Sequence, residues 1–138
     1  MHLKRGLKGI LSHEVTHADL ATNWQNDVEV LATPILLWLS ELACMRAIDG
    51  CLQEGQMTLG YGHDIRHLAP TPPNWIVQIE AELVDMQGAI LTFDVSASDP
   101  LSTILSGKHS RAVVSREKFL ARLAEKACTY QTSIAQRG

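Results

Sequence analysis

Cysteine is scarce in this chain, and what there is cannot build a disulfide framework. The 138 residues include three cysteines, Cys44, Cys51 and Cys128, an odd number. Cys44 and Cys51 fall seven apart on one predicted helix, too far along its axis to bridge. Reduced thiols in a cytoplasmic protein are therefore expected. Charge of one sign is also in short supply. The formal net charge is −3 and there is no long basic run, which argues against a nucleic-acid partner. No apolar run approaches ~20 residues, so no membrane span is predicted. The first nine residues are basic but lack a hydrophobic signal core, so no secretion is expected. Internal repeats and low-complexity segments are absent.

What is present is core. Hydrophobic residues make up 46% of the chain and charged residues 20%, enough for one folded domain over 1–138. The patterned core covers about 10–127, with 1–9 and 129–138 expected to be loose. Thr16 with Asp19 resembles a capping pair for a short helical turn, His17 to Ala21. Asn23 to Asp27 reads as a loop. Thr33-Pro34 is a strong helix start, with threonine as the cap and proline in the first helical position. Apolar residues then cover most of the helix circumference to about Gln53, which predicts a nearly buried helix stopped by Gly55. After it the period changes to two. Met57–Leu68, Trp75–Met86, Ala89–Ala97 and Thr103–Val114 read as strands, with Gln87-Gly88 as a hairpin turn. Glu117–Cys128 reads as a closing helix. One very apolar helix followed by an antiparallel sheet predicts an α+β fold in which the sheet curls around the helix. The uncovered helix side and a sheet edge would favour dimerisation.

Three polar groups stand out in this frame. Glu41 sits among Leu37, Trp38, Leu42 and Met45, where a carboxylate is either an ordinary helix residue paired with Arg46 or a general base or nucleophile. Thr33 is a helix cap whose hydroxyl also lies beside the positive end of the helix dipole, a place for an oxyanion. The two are eight residues apart, ~12 Å along one helix, so a joint role needs a substrate or a third group. His67 opens the run His67-Leu68-Ala69-Pro70-Thr71-Pro72-Pro73. Pro72 and Pro73 end strand pairing there, and an imidazole held at such a point can do acid–base work.

Two other patterns compete. His63 and His67 share a strand face, but two ligands do not make a metal site. His13-Glu14-Val15-Thr16-His17 spells the H-E-x-x-H zinc-peptidase pattern. That chemistry needs a helix, and here little chain precedes it and no further histidine follows at the extended-motif spacing. No metal is expected. Gly107-Lys108-His109-Ser110-Arg111 could contact phosphate or pantetheine groups, or could be a solvated edge strand.

Taken in order, Leu31-Ala32-Thr33-Pro34 with Glu41-Leu42-Ala43, the His67–Pro73 run, and Gly107–Val114 resemble the hot-dog-fold thioesterases of the fluoroacetyl-CoA thioesterase-like group. The likeness spans about residues 10–127. It implies a long central helix wrapped by an antiparallel sheet, paired into a homodimer by edge strands and open to further pairing into tetramers. It implies hydrolysis of an acyl-CoA thioester by Thr33, Glu41 and His67, with no cofactor beyond the coenzyme A of the substrate. Gly60 matches the family glycine whose backbone contacts the thioester carbonyl, and Lys108 and Arg111 become candidates for the CoA end. It also recasts residues 10–16 as a first strand with Thr16 opening the short helix. An alternative on the same fold is a non-catalytic protein that binds acyl-CoA or another small ligand.

Overall fold

The computed structural model describes residues 2–137. Strand β1 spans Lys8–Glu14, helix α1 Thr33–Ala47, β2 Gln56–His67, β3 Ile76–Gln87, β4 Ile90–Ser98, β5 Thr103–Ser115 and helix α2 Arg116–Arg137, with two short 3-10 turns at His17–Asp19 and Ala21–Trp24. The five strands form one antiparallel sheet in the order β1-β3-β4-β5-β2. The period-two pattern decides which face turns inward. Val77, Ile79, Ala81 and Leu83 of β3 and Leu91, Phe93, Val95 and Ala97 of β4 are all buried. They meet Leu36, Leu39, Ala43 and Ala47 of α1 in a single core. Each fully buried Leu, Ile or Phe there contributes about 1.5–3 kcal/mol.

The helix lies closest to β1 and β3, and Gly9 permits this. A Cβ at Gly9 would fall onto the Ala43 carbonyl and the Ala47 backbone. Sheet and helix thus touch backbone to backbone, the arrangement of a helix wrapped by a curved sheet. No helix among the described residues is long and apolar enough to cross a membrane.

Several boundaries differ from the sequence expectation. Helix α1 stops at Ala47 rather than near Gln53, because Gly50 turns the chain with φ +74°. The short turn ends at Asp19, before Ala21. The β3–β4 turn falls on Gly88-Ala89, one residue later than expected. Residues 5–9 are not loose. Gly6 N–H donates to the Leu83 carbonyl, Leu83 N–H to the Leu7 carbonyl, and Arg5 pairs with Asp85. Helix α2 runs on to Arg137 instead of fraying at Cys128, since no Gly or Pro interrupts it. It buries no residue, and leaves Leu120, Leu123, Tyr130 and Ile134 exposed. Nor is α1 covered all round. Trp38 is 48% and Met45 41% exposed, one stripe with half-buried Leu42.

Candidate active site

Among the described residues, the candidate catalytic side chains fall into two separate polar clusters. The first joins Thr33 to His67. Ala32, not Thr33, is the extended residue that caps α1. The Thr33 hydroxyl is therefore free to meet His67 Nδ1 at 2.7 Å. The Pro-rich loop holds this contact in place. Thr71 is fully buried, and its hydroxyl donates to Asp99 Oδ2 at 3.0 Å, while its carbonyl accepts Leu31 N–H at 2.9 Å. Asp99 also accepts the Leu101 and Ser102 N–H groups, both at 2.8 Å. Burial works to raise the Asp99 carboxyl, but these N–H donors and the Thr71 hydroxyl hold it below its ordinary value. The loop is thus tied to the start of α1 on one side and to the β4–β5 turn on the other. Burial keeps His67 below the ordinary imidazole range, offset in part by the Ala69 backbone. Its Nε2 is a buried nitrogen without a hydrogen-bond partner among the described residues.

The second cluster surrounds Glu41. The carboxylate is not lost among apolar side chains, nor does it pair with Arg46, which donates to the Ile10 carbonyl. Its side chain is 32% exposed and lies over β2 and β5. Oε1 is 3.6 Å from His63 Nε2, 3.9 Å from His109 Nε2 and 3.9 Å from Arg111 Nη1. Gly60 makes room for it, since a Cβ there would sit 2.7 Å from Oε1. Arg111 is buried and fixed by bonds from Nε to Thr58 Oγ1 at 2.9 Å and from Nη2 to the Thr58 carbonyl at 3.2 Å. His109 is fully buried, with Nδ1 3.0 Å from the Gly62 carbonyl and Nε2 3.1 Å from Arg111 Nη1. A carbonyl cannot donate and a guanidinium cannot accept, so Nδ1 carries the proton and Nε2 the lone pair.

Burial, then the nearby His63 and Arg111, push His109 down to about 4 from 6.5. This gives a pH-dependent stability of known sign. Above pH 6.5 both native and unfolded chains leave this ring neutral. As pH falls toward 4, the unfolded chain takes up a proton that the native one refuses. The contribution is whole above 6.5 and is lost downward, by roughly 3 kcal/mol at pH 4. Urea midpoints measured from pH 7 to 4 are expected to fall along this curve, and to fall less steeply for His109→Asn. A flat wild-type curve would count against the lowered His109 pKa.

The remaining sequence candidates fall elsewhere. Lys108 lies on the opposite face of β5 from Arg111 and is paired with Asp94. His13 and Glu14 belong to β1 and His17 to a 3-10 turn, so the H-E-x-x-H residues do not share a helix face. His13 is spent on Asp19, its Nε2 2.8 Å from Oδ2. Asp19 also accepts the Thr16 N–H and hydroxyl, the capping pair that the sequence implies. Cys44 lies near Glu41, but burial pushes its thiol up to about 12, which removes it as a nucleophile. Sequence reasoning did not single out His109 as a site residue, or His63 as a neighbour of Glu41. The available signal was the i, i+2 spacing of His109 and Arg111, which puts both on one strand face.

Comparison with known proteins identifies the family. Residues 15–117 match the family described as FlK, fluoroacetyl-CoA-specific thioesterase. The fluoroacetyl-CoA thioesterase of Streptantibioticus cattleyicolor is 42% identical over 98 residues, 71% of this chain and 70% of that protein. The solved structure of the fluoroacetyl-CoA thioesterase FlK superposes with a TM-score of 0.85 at 32% identity, covering 91% of this chain and 98% of that one. A Thermus thermophilus thioesterase superfamily member reaches 0.87 at 22% identity, covering 94% and 96%, a likeness of fold alone. The fold is the α+β hot-dog fold. Matched over more than half its length, the chain belongs to the fluoroacetyl-CoA-specific thioesterase family.

Proposed function

We propose that this protein hydrolyses short acyl-CoA thioesters, with Thr33, Glu41 and His67 at the reacting carbonyl. The observation that carries the reading is the Thr33–His67 hydrogen bond at the start of α1, set on a chain of this family. The thioester carbonyl docks beside the first N–H groups of α1, which have no acceptor within the helix, or beside the Gly60 backbone. Glu41 delivers the nucleophile, either by taking a proton from water, which then attacks the carbonyl, or by attacking the carbonyl itself to form an acyl-glutamyl anhydride that water hydrolyses after the thiolate has left. The C–S bond then breaks. His67, hydrogen-bonded to Thr33, gives a proton to the departing CoA thiolate. A thiolate leaves readily, so the scheme calls for no metal. Arg111 steadies Glu41 from behind.

Within one chain the two clusters are far apart. Thr33 and Glu41 are ~12 Å apart along α1, and His67 is roughly 20 Å along β2 from Gly60. A homodimer closes the gap. Strand β2 is an edge of the sheet and carries both clusters. Antiparallel pairing with β2 of a second copy, about a twofold near Asp64, sets His67 of one copy against the bulge at Gly60–Gly62 of the other. The same pairing covers an open strand edge. The free cysteines fit a reducing, cytoplasmic setting.

The test is release of free CoA thiol from a panel of short acyl-CoA esters, with calorimetry of CoA binding alongside. Turnover of at least one ester supports the hydrolase. Tight binding with no thiol release from any ester overturns it in favour of a ligand-binding protein.

A further inference from the structure

We propose that His63 is a positioning residue that, with Arg111, holds one oxygen of Glu41 so that the other meets the substrate. The inference rests on the catalytic role proposed above for Glu41. All three close contacts of the carboxylate among the described residues are to Oε1. His109 cannot donate to it, because its proton is on Nδ1 and its Nε2 lone pair accepts from Arg111. The donors facing Oε1 are therefore Arg111 Nη1 and His63 Nε2, and His63 is the nearer of the two at 3.6 Å.

The imidazole of His63 is itself held. It stacks on His109 with ring centroids 4.5 Å apart and planes 26° from parallel. His109 is an immobile base for this stack, fully buried and bonded at both nitrogens. A glutamate carboxylate turns freely about its last bond unless something fixes one oxygen. Here a guanidinium approaches from β5 and an imidazole from β2. Gly60 supplies the space between them. Oε2 takes part in none of these contacts.

The same atoms could suggest a metal site, since ligand atoms of Glu41, His63 and His109 lie within 4.8 Å of one another. The guanidinium argues otherwise. It occupies the lone pair that His109 would offer a metal, and it brings a positive charge to the spot where a cation would sit. The cluster is built to hold a carboxylate.

The experiment is steady-state hydrolysis of acetyl-CoA by wild type, His63→Leu, His63→Gln, Glu41→Ala and the Glu41→Ala/His63→Leu pair, with melting temperatures for each. Loss of orientation is expected to lower kcat about tenfold or more in His63→Leu, with KM within about twofold of wild type. His63→Gln recovers much of the rate, because its amide N–H can approach Oε1 in place of the imidazole. In the Glu41→Ala background the His63→Leu change costs nothing further. His63 lies near the proposed twofold, so the mass of the dimer is measured beside the melting temperature, and both are expected to stay near wild type. Wild-type kcat in His63→Leu beside a dead Glu41→Ala overturns the proposal alone. So does a Gln variant no better than Leu. A fully active Glu41→Ala overturns the catalytic reading beneath it, and this proposal with it.

Discussion

Glu41→Ala is expected to slow turnover of a short acyl-CoA by about a hundred- to ten-thousandfold, the range supplied by one positioned base or nucleophile. No other carboxylate among the described residues shares its place beside Gly60, His63, His109 and Arg111. The loss comes from chemistry rather than collapse. The side chain is 32% exposed, so truncation opens no sealed cavity, and Arg111 keeps its two bonds to Thr58. Melting temperature should therefore change little. Glu41→Gln preserves shape and contacts but supplies neither a basic nor a strongly nucleophilic oxygen, so it should be nearly as slow. An active Gln variant would mean that the carboxylate only holds the substrate.

His67→Ala is expected to lower kcat about a hundredfold or more. Thr33→Val should cost less, because it removes one partner of a hydrogen bond and leaves the ring. Thr33→Ser should stay close to wild type. The two residues are joined by a 2.7 Å bond, so the double variant should be far from additive. Additive losses would show that Thr33 and His67 work separately. The Asp99–Thr71 bond supplies a control, since it ties down the loop without touching the carbonyl.

Much of this was legible from local patterns. Alternation in β3 and β4 fixed their inward faces, because a period of two leaves no other choice when one side is apolar. The Thr33-Pro34 start was also plain, although Ala32 takes the capping position and frees the threonine for His67. The end of α1 was misplaced because a continuous apolar run hid the turn at Gly50. The continuation of α2 was missed because residues 129–137 are polar, and polarity on an exposed helix looks like fraying. At the site, the motif residues were named singly, but their grouping was not. Glu41 meets His109 and Arg111 only because β5 pairs with β2 in one particular register, a long-range fact that no local spacing carries. Lys108 and Arg111 stand on opposite faces of β5 for the same reason: the register, and not their spacing from a motif, decides which of them reaches Glu41.

The central claim is that each active site takes Thr33 and His67 from one copy and Glu41 from another. Mixing separately inactive Glu41→Ala and His67→Ala proteins, unfolding and refolding them together, and measuring CoA thiol release tests it directly. Random reassortment restores one intact site in each mixed dimer, so about a quarter of wild-type activity should return. A mixture as inactive as its two components, with mixed dimers verified by mass, would contradict the shared site.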